Sequence, residues 1–401
     1  MKRKAVFFSF LLFLYYCRYC ILYSFASVFF DEQGYSAVRI GQLAAASGLV
    51  VIFAGPIAGM LADRIGSEKK VILSCLLLTF ILTAEVYAVR KEFYALLLSY
   101  GAVSFFDKAI SPLLDSWIVR SGGKDNALPY GRIRAAGSLG GALSAAGTGA
   151  LIDAAGFGMV FFLHMGMTAL LFLGALYAGK RWDVSGGKAG DGNLSDGKSG
   201  REKAPCDAAQ MARPLSYAAL LAVVVFLFTG VTAEITYYPI LFQKCGGSKA
   251  GLGLAMFLMS ASELTGMALY PSLRRRVPLR WALFLSLIVY TIKLGIQVFA
   301  FRIPVLMLLQ LLQGGAYGIL LPAVTEMVPL LAGRRRTAAA LSACHAGMQG
   351  VGTVLGNWAA GMICGAFGLR QAFAAGTCFC GLAAALYFIV FFTPQKRSPR
   401  L

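Results

Sequence analysis

Apolar stretches, each long enough to cross a membrane as a helix, recur from Ala5 to Phe392 with only short polar breaks between them. The hydrocarbon core of a bilayer is about 30 Å thick, so a helix rising 1.5 Å per residue needs roughly 20 such residues to span it. A water-soluble globule of 401 residues could not bury this much apolar surface, because 58% of the chain is hydrophobic and only 14% is charged. Lipid is therefore the required solvent, and the expected fold class is an all-α membrane protein. The spans are placed at about 5 to 30, 37 to 62, 70 to 89, 93 to 119, 132 to 153 and 157 to 179, and then at 214 to 242, 249 to 272, 279 to 300, 303 to 331, 337 to 363 and 368 to 392. The first follows a basic Met1-Lys2-Arg3-Lys4 start. It is too long for the apolar core of a signal peptide and lacks a clear small-residue cleavage site, so it is expected to be a retained helix.

A net charge of +19 would suggest nucleic acid as the partner of a soluble protein. Here the distribution matters more than the sum. Basic residues gather in alternate connections, including Arg64, Lys69 and Lys70, the run from Lys180 to Arg213, Arg274 to Arg276, and Arg334 to Arg336, whereas the other connections carry few. Cytoplasmic loops are the basic ones, so both termini are expected on the cytoplasmic side, which requires an even number of spans. The expected location is the bacterial cytoplasmic (inner) membrane, with the lipid bilayer and a small-molecule substrate as partners and no nucleic acid.

Residues 180–213 carry Gly186-Gly187-Lys188-Ala189-Gly190-Asp191-Gly192 and similar text that cannot bury a core, and they read as a flexible linker. The chain thus divides into an N-terminal six-helix bundle, 1–179, the linker, 180–213, and a C-terminal six-helix bundle, 214–401. Two such halves place a solute site near the midplane between them. The fifth span is rich in small residues (Gly137, Ser138, Gly140, Gly141), as is the eleventh (Gly347, Gly350, Gly352, Gly356), so both are expected to pack closely across a moving contact. Of the nine cysteines, Cys17 and Cys20 form a C-x-x-C inside an apolar helix, where small packing residues are the simpler reading. His164 and His345 are the two histidines, and no acidic ligand stands at metal spacing from either, so no metal and no cofactor is expected.

Between the second and third spans stands Gly59-Met60-Leu61-Ala62-Asp63-Arg64-Ile65-Gly66. Gly59 permits close packing, Gly66 a tight turn, and Asp63 can pair with nearby cations to lock one conformation. The stretch closely resembles the G-x-L-A-D-R-x-G signature of the major facilitator superfamily, which implies twelve helices in two halves, an alternating-access mechanism with Gly59, Asp63, Arg64 and Gly66 as a conformational gate, and a monomer. Ser111-Pro112-Leu113-Leu114-Asp115, with Tyr130-Gly131-Arg132-Ile133-Arg134, resembles the branch of phenylpropionate transporters, nucleoside symporters and lactose permease. That resemblance implies a substrate-binding role for Asp115 and Arg134. Glu263 is similar to the branch's eighth-span carboxylate, and Lys293 falls where a ninth-span arginine is expected. The tenth span departs from the pattern, with Leu312-Gln313 and then Ala316 where a Leu-His pair and a later glutamate stand in lactose permease. That protein's proton relay is therefore not inherited, nor is its substrate.

An ionised group deep in a span needs a partner or a cavity, since it costs at least about 2.5 kcal/mol on insertion scales. Arg18, Lys108 and Lys293 lie deep against Asp107, Asp115, Glu234 and Glu263. If Arg134 does not reach the cavity, one carboxylate is in excess, and a carboxylate that takes up a proton reversibly suits proton coupling; Glu234 and Glu263 are the candidates. Asp107, Ser111 and Asp115 repeat at i, i+4 and i+8 and form a stripe, with Lys108 beside it. Asp107, Lys108 and Asp115 can alternatively belong to an internal ion-pair network that locks helices. Arg18 stands amid Tyr15, Tyr16, Tyr19 and Tyr23, as an aromatic-walled cation for a ligand or as the neutraliser of a fourth-span aspartate. Glu234 with Tyr237, and Gln313 with Tyr317, offer hydrogen bonds to a polar solute or between helices.

The expected function is secondary active transport of a small polar organic solute (a sugar, nucleoside or aromatic acid), coupled to protons. The rival within transport is an exporter of drugs or cationic metabolites, and outside it a membrane nutrient sensor. No nucleophile, metal or acid-base constellation of an enzyme is visible.

Overall fold

The computed structural model describes residues 2–122, 130–182, 214–300, 302–333 and 337–393; most of the stretch read as a linker lies outside them. Every regular element among the described residues is helical. Twelve helices are long and apolar enough to cross a membrane. The first six are Arg3–Glu32, Ala37–Ile65, Glu68–Ala88, Phe93–Ser121, Ile133–Ala155 and Gly158–Ala178. The second six are Ser216–Lys244, Lys249–Arg274, Leu279–Phe299, Ile303–Ala332, Ala339–Phe367 and Leu369–Phe392.

Capping explains the turn at the motif. Gly66 ends the second span in the left-handed region, at φ 69°, and Ser67 then accepts from the Lys70 amide to start the third. Three spans are irregular. The first breaks between Lys2–Tyr23 and Ala26–Glu32, the tenth tightens to a 3-10 turn at Gln310–Leu312, and the eleventh widens to a π-helix at Gly347–Gly352. Such departures from α-geometry collect at functional positions.

One buried apolar cluster is drawn only from the first six spans, Phe8 to Ala178, and a second only from the last six, Leu220 to Phe391. A third mixes both, bringing Phe29, Phe30 and Phe161 together with Tyr237, Phe242 and Phe373. It lies at the end of the molecule away from the Gly59–Gly66 motif. Polar contacts seal that end as well. The Tyr237 hydroxyl donates to the Ala37 carbonyl at 2.8 Å, and Asp153 on the fifth span accepts from the Lys249 and Ala250 amides of the eighth at 3.3 and 2.8 Å. Lys249 Nζ also stands 2.7 Å from Glu32 Oε1, on the surface, where such a pair contributes little.

The second span shows how the halves part from there. A methyl group on Gly41 would stand 2.6 Å from the Asn357 carbonyl oxygen and 2.9 Å from the Tyr237 hydroxyl, so backbones touch. Further along the same stripe Gly48 meets Thr353 of the eleventh span, but a methyl group on Gly59 would meet nothing within 4 Å. The close packing expected of Gly59 is not seen there. Asp63 does pair: its Oδ1 lies 3.0 Å from Arg120 Nη2, and Arg120 Nε lies 2.9 Å from Glu68 Oε1, tying the second, third and fourth spans of one half. Arg64 is exposed. The small-residue helices divide their contacts. Gly137 and Gly140 receive Tyr16 and Phe13 of the first span, and Gly352 and Gly356 receive the seventh, whereas Gly149 and Gly361 make the crossing between halves.

Overpacking a backbone contact costs about 1–3 kcal/mol, so Gly41→Val is expected to weaken the sealed end selectively. In a variant whose single cysteine is Cys364, which is partly buried at that end, the substitution should speed maleimide labelling several-fold. An unchanged rate would show that this contact does not hold the end shut.

Candidate functional site

Two ion pairs sit fully inside the bundle. In the first half Arg18 Nη2 pairs with Asp107 Oδ1, and both side chains are 0% exposed. Arg18 Nη1 also donates to Thr168 Oγ1 at 3.3 Å, and the guanidinium lies 5.2 Å from the Tyr15 ring centroid. Arg18 therefore faces the interior of its own half, where it is paired with the fourth-span aspartate. In the second half Lys293 Nζ stands 2.6 Å from Glu234 Oε1. Gln313 Oε1 accepts from Lys293 at 2.7 Å and Gln310 Oε1 at 3.2 Å, while Gln297 Nε2 donates to Glu234 at 2.9 Å. Gln310 and Gln313 bracket the 3-10 turn and, three residues apart, lie on one face of the span. Glu263 feels Lys293 electrostatically, yet no cation among the described residues lies within ion-pair distance of it.

The fourth-span stripe is registered one residue away from its expected setting. Asp107 turns into the bundle, and the side chains left partly accessible on one face are Lys108, Ser111 and Asp115, at i, i+3 and i+7. Lys108 does not pair with Asp107. Its Nζ donates to Ser47 Oγ at 2.7 Å and to the Ser47 carbonyl at 2.9 Å, because successive residues point about 100° apart and Arg18 has already claimed the aspartate. Pro112 supplies no N–H to the carbonyl four residues back, that of Lys108, so the helix is loosened there.

Between these groups the two halves face one another. The Tyr16 hydroxyl shares a hydrogen bond with Ser111 Oγ at 3.1 Å, Arg134 lies 4.4 Å above the Tyr16 ring, and Asp115 is within electrostatic reach of the same tyrosine. From the other half Tyr317 lies beside Gln349 of the π-helix and within electrostatic reach of Glu263, Arg134 and Tyr16. Asp115, Arg134, Glu263 and Tyr317 thus gather with Tyr16 in one central region where the halves meet, Gln313 is bonded to Lys293 beside it, and Tyr19 and Tyr23 pack with ring centroids 4.5 Å apart. Tyr237 is placed elsewhere, in the sealed end. Sequence reasoning placed Tyr16 only in the aromatic surround of Arg18 and did not select Ser47, Gln297 or Asp153 as functional. Tyr16 carried a usable signal, since it falls at Tyr19 minus three on the first span. A separate apolar cavity lined by Leu22, Phe25, Phe29, Tyr100 and Phe161 offers no polar group to a charged solute beyond the Tyr100 hydroxyl.

Residues 6–375 match the MFS_1 like family. The chain belongs to that family. This major facilitator transporter is 26% identical to a maltose permease of Geobacillus stearothermophilus over 89% of its own length and 85% of the relative's. It is also 26% identical to a probable 3-phenylpropionic acid transporter of Escherichia coli K12, over 77% of each chain. In fold, the transporter superposes on the nucleoside transporter NupG with a TM-score of 0.78, at 16% identity, covering 96% of this chain and 97% of that one. It superposes on a bacterial homolog of the human lysosomal transporter Spinster, in an inward-facing and unoccupied conformation, with a TM-score of 0.72 at 18% identity, covering 97% and 96%. It is a membrane transporter of permease type, not an enzyme.

Removing one partner of a buried ion pair strands the other and typically costs about 3–5 kcal/mol, whereas replacing both by apolar groups is often neutral. Arg18→Ala in this transporter should therefore lower the thermal midpoint in detergent by many degrees, and Arg18→Met with Asp107→Leu should recover most of it. If the double variant is no more stable than the single one, Arg18 and Asp107 do more than neutralise each other.

Proposed function

We propose that this transporter is a proton-coupled symporter that carries a small polar organic solute (a sugar, nucleoside or aromatic acid) across the bacterial inner membrane as a monomer by alternating access. The observation carrying this reading is a juxtaposition across the two halves: Tyr16, Arg134 and Asp115 of one confront Tyr317 and Glu263 of the other, with the halves joined at the Tyr237 end. With the basic loops at the motif-bearing end placed in the cytoplasm, the sealed end is the outer one and the site opens inward. The two halves, 1–179 and 214–401, then rock about the site while their internal ion pairs stay intact. The relatives named for maltose and 3-phenylpropionic acid, and the fold neighbour named for nucleosides, agree with a polar organic cargo.

Glu263 is the proposed proton carrier. Arg134 reaches the central region, so the deep charges balance in number, but Glu234 already neutralises Lys293 and no described cation lies within ion-pair distance of Glu263, which makes it the carboxylate to be covered by a proton when the cavity closes. Asp115 and Arg134 hold the solute, with Tyr19, Gln313 and Tyr317 alongside.

Uptake into proteoliposomes separates the elements of this reading. Glu263→Gln is expected to abolish accumulation driven by a pH gradient while preserving solute counterflow, because the neutral variant mimics the protonated state. Gradient-driven accumulation that survives in Glu263→Gln rules out this carrier. Export of organic cations, with no uptake of maltose, uridine or 3-phenylpropionate, replaces the importer by the exporter.

A further inference from the structure

We propose that Lys108 is a docking cation for a carboxylate, so that the cargo is a small organic acid whose body lies against Tyr19 and Tyr23; this rests on the central region being the transport site. Among the deep charges, Arg18 has Asp107, Lys293 has Glu234, and Asp115 and Arg134 share the surroundings of Tyr16. Lys108 stands apart from this pattern. Its described contacts are the Ser47 carbonyl, the Ser47 hydroxyl and the face of the Tyr23 ring, 5.4 Å from Nζ to centroid. No carboxylate among the described residues lies within 4.0 Å of it.

An ammonium has three N–H donors and no acceptor, so the two Ser47 oxygens leave one donor and the whole positive charge uncompensated. Asp107, its neighbour in sequence, is turned into the bundle and committed to Arg18. Asp115 shares Lys108's face of the helix but stands seven residues on, about 10 Å along the axis, too far for a direct pair. A carboxylate on Lys108 would supply the missing charge. An apolar or aromatic body would then lie along Tyr19 and Tyr23, whose rings are 4.5 Å apart and inclined by 32°, and a polar far end would reach Tyr16 and Arg134. A merely structural Lys108, tying the fourth span to Ser47 on the second, would need the N–H donors but not the charge.

That difference is testable on the full-length protein in detergent, by thermal shift and calorimetry with benzoate, 3-phenylpropionate and succinate, with 3-phenylpropanamide as the uncharged isostere and chloride as an inorganic anion. At least one carboxylate should stabilise the wild type where the amide and chloride do not. Lys108→Gln, which keeps a donor for Ser47, should weaken that binding by at least about tenfold, the effect of losing one hydrogen bond to a charged group. Lys108→Arg should retain most of it. Equal binding of the amide, equal stabilisation by chloride, unchanged affinity in Lys108→Gln, or no response to any carboxylate would each overturn the proposal. Should Lys108→Gln not fold, the wild-type comparison of carboxylate with amide and the Lys108→Arg variant still decide. Flux of a neutral sugar or nucleoside unaffected by Lys108→Gln would overturn the carboxylate assignment and leave the transport reading standing, whereas absence of flux for every solute would count against the transport reading itself.

Discussion

A charge in hydrocarbon must find an opposite charge, water or a proton, and this requirement organises the molecule more than any single apolar contact. Lipid on the outside is as apolar as the side chains within, so helices gain little by hiding from it. The polar groups supply what burial does not. Arg18 with Asp107 joins the first span to the fourth, and Lys293 with Glu234 joins the ninth to the seventh, each with both partners almost completely hidden. Once those charges are neutralised inside their own halves, the space between the halves is free to hold groups that answer to a solute.

The two pairs are not equivalent. Arg18 has one carboxylate, one threonine hydroxyl and an aromatic face, and any other arrangement would strand a charge. Lys293 has one carboxylate in contact, two amide oxygens at hydrogen-bond distance and a second carboxylate, Glu263, within electrostatic reach. A network with spare acceptors can exchange partners without passing through an isolated charge. It is also where the backbone leaves α-geometry, at the 3-10 turn beside Gln310 and the π-helix beside Gln349.

Much of this was legible in the chain. The spans, their helical nature and the motif turn at Gly66 follow from residue type and order, because in a bilayer the backbone has no other way to satisfy itself. Which residues are charged at depth was equally plain. What spacing could not decide was who faces whom. Asp107 and Lys108 differ by one residue and hence by about 100° of helix, and a stripe through Asp107, Ser111 and Asp115 looks as good on paper as one through Lys108, Ser111 and Asp115. Only the position of Arg18 on another helix chooses between them. Tyr237 shows the same limit: its spacing from Glu234 suggested a shared site, but its hydroxyl reaches Ala37 in the opposite half. Asp153 gave no signal at all, since its partners are backbone amides almost a hundred residues away.

Those amides give the sealed end a peculiar character. The first turn of any helix has N–H groups that the helix itself cannot satisfy. In the eighth span Ser248 takes that of Gly251, but those of Lys249 and Ala250 are taken by Asp153, a residue of the other half. The eighth span thus completes its secondary structure with a borrowed carboxylate. Parting the halves at that end would do more than separate two surfaces: it would return two backbone amides to water and leave Ser248 as the eighth span's own cap.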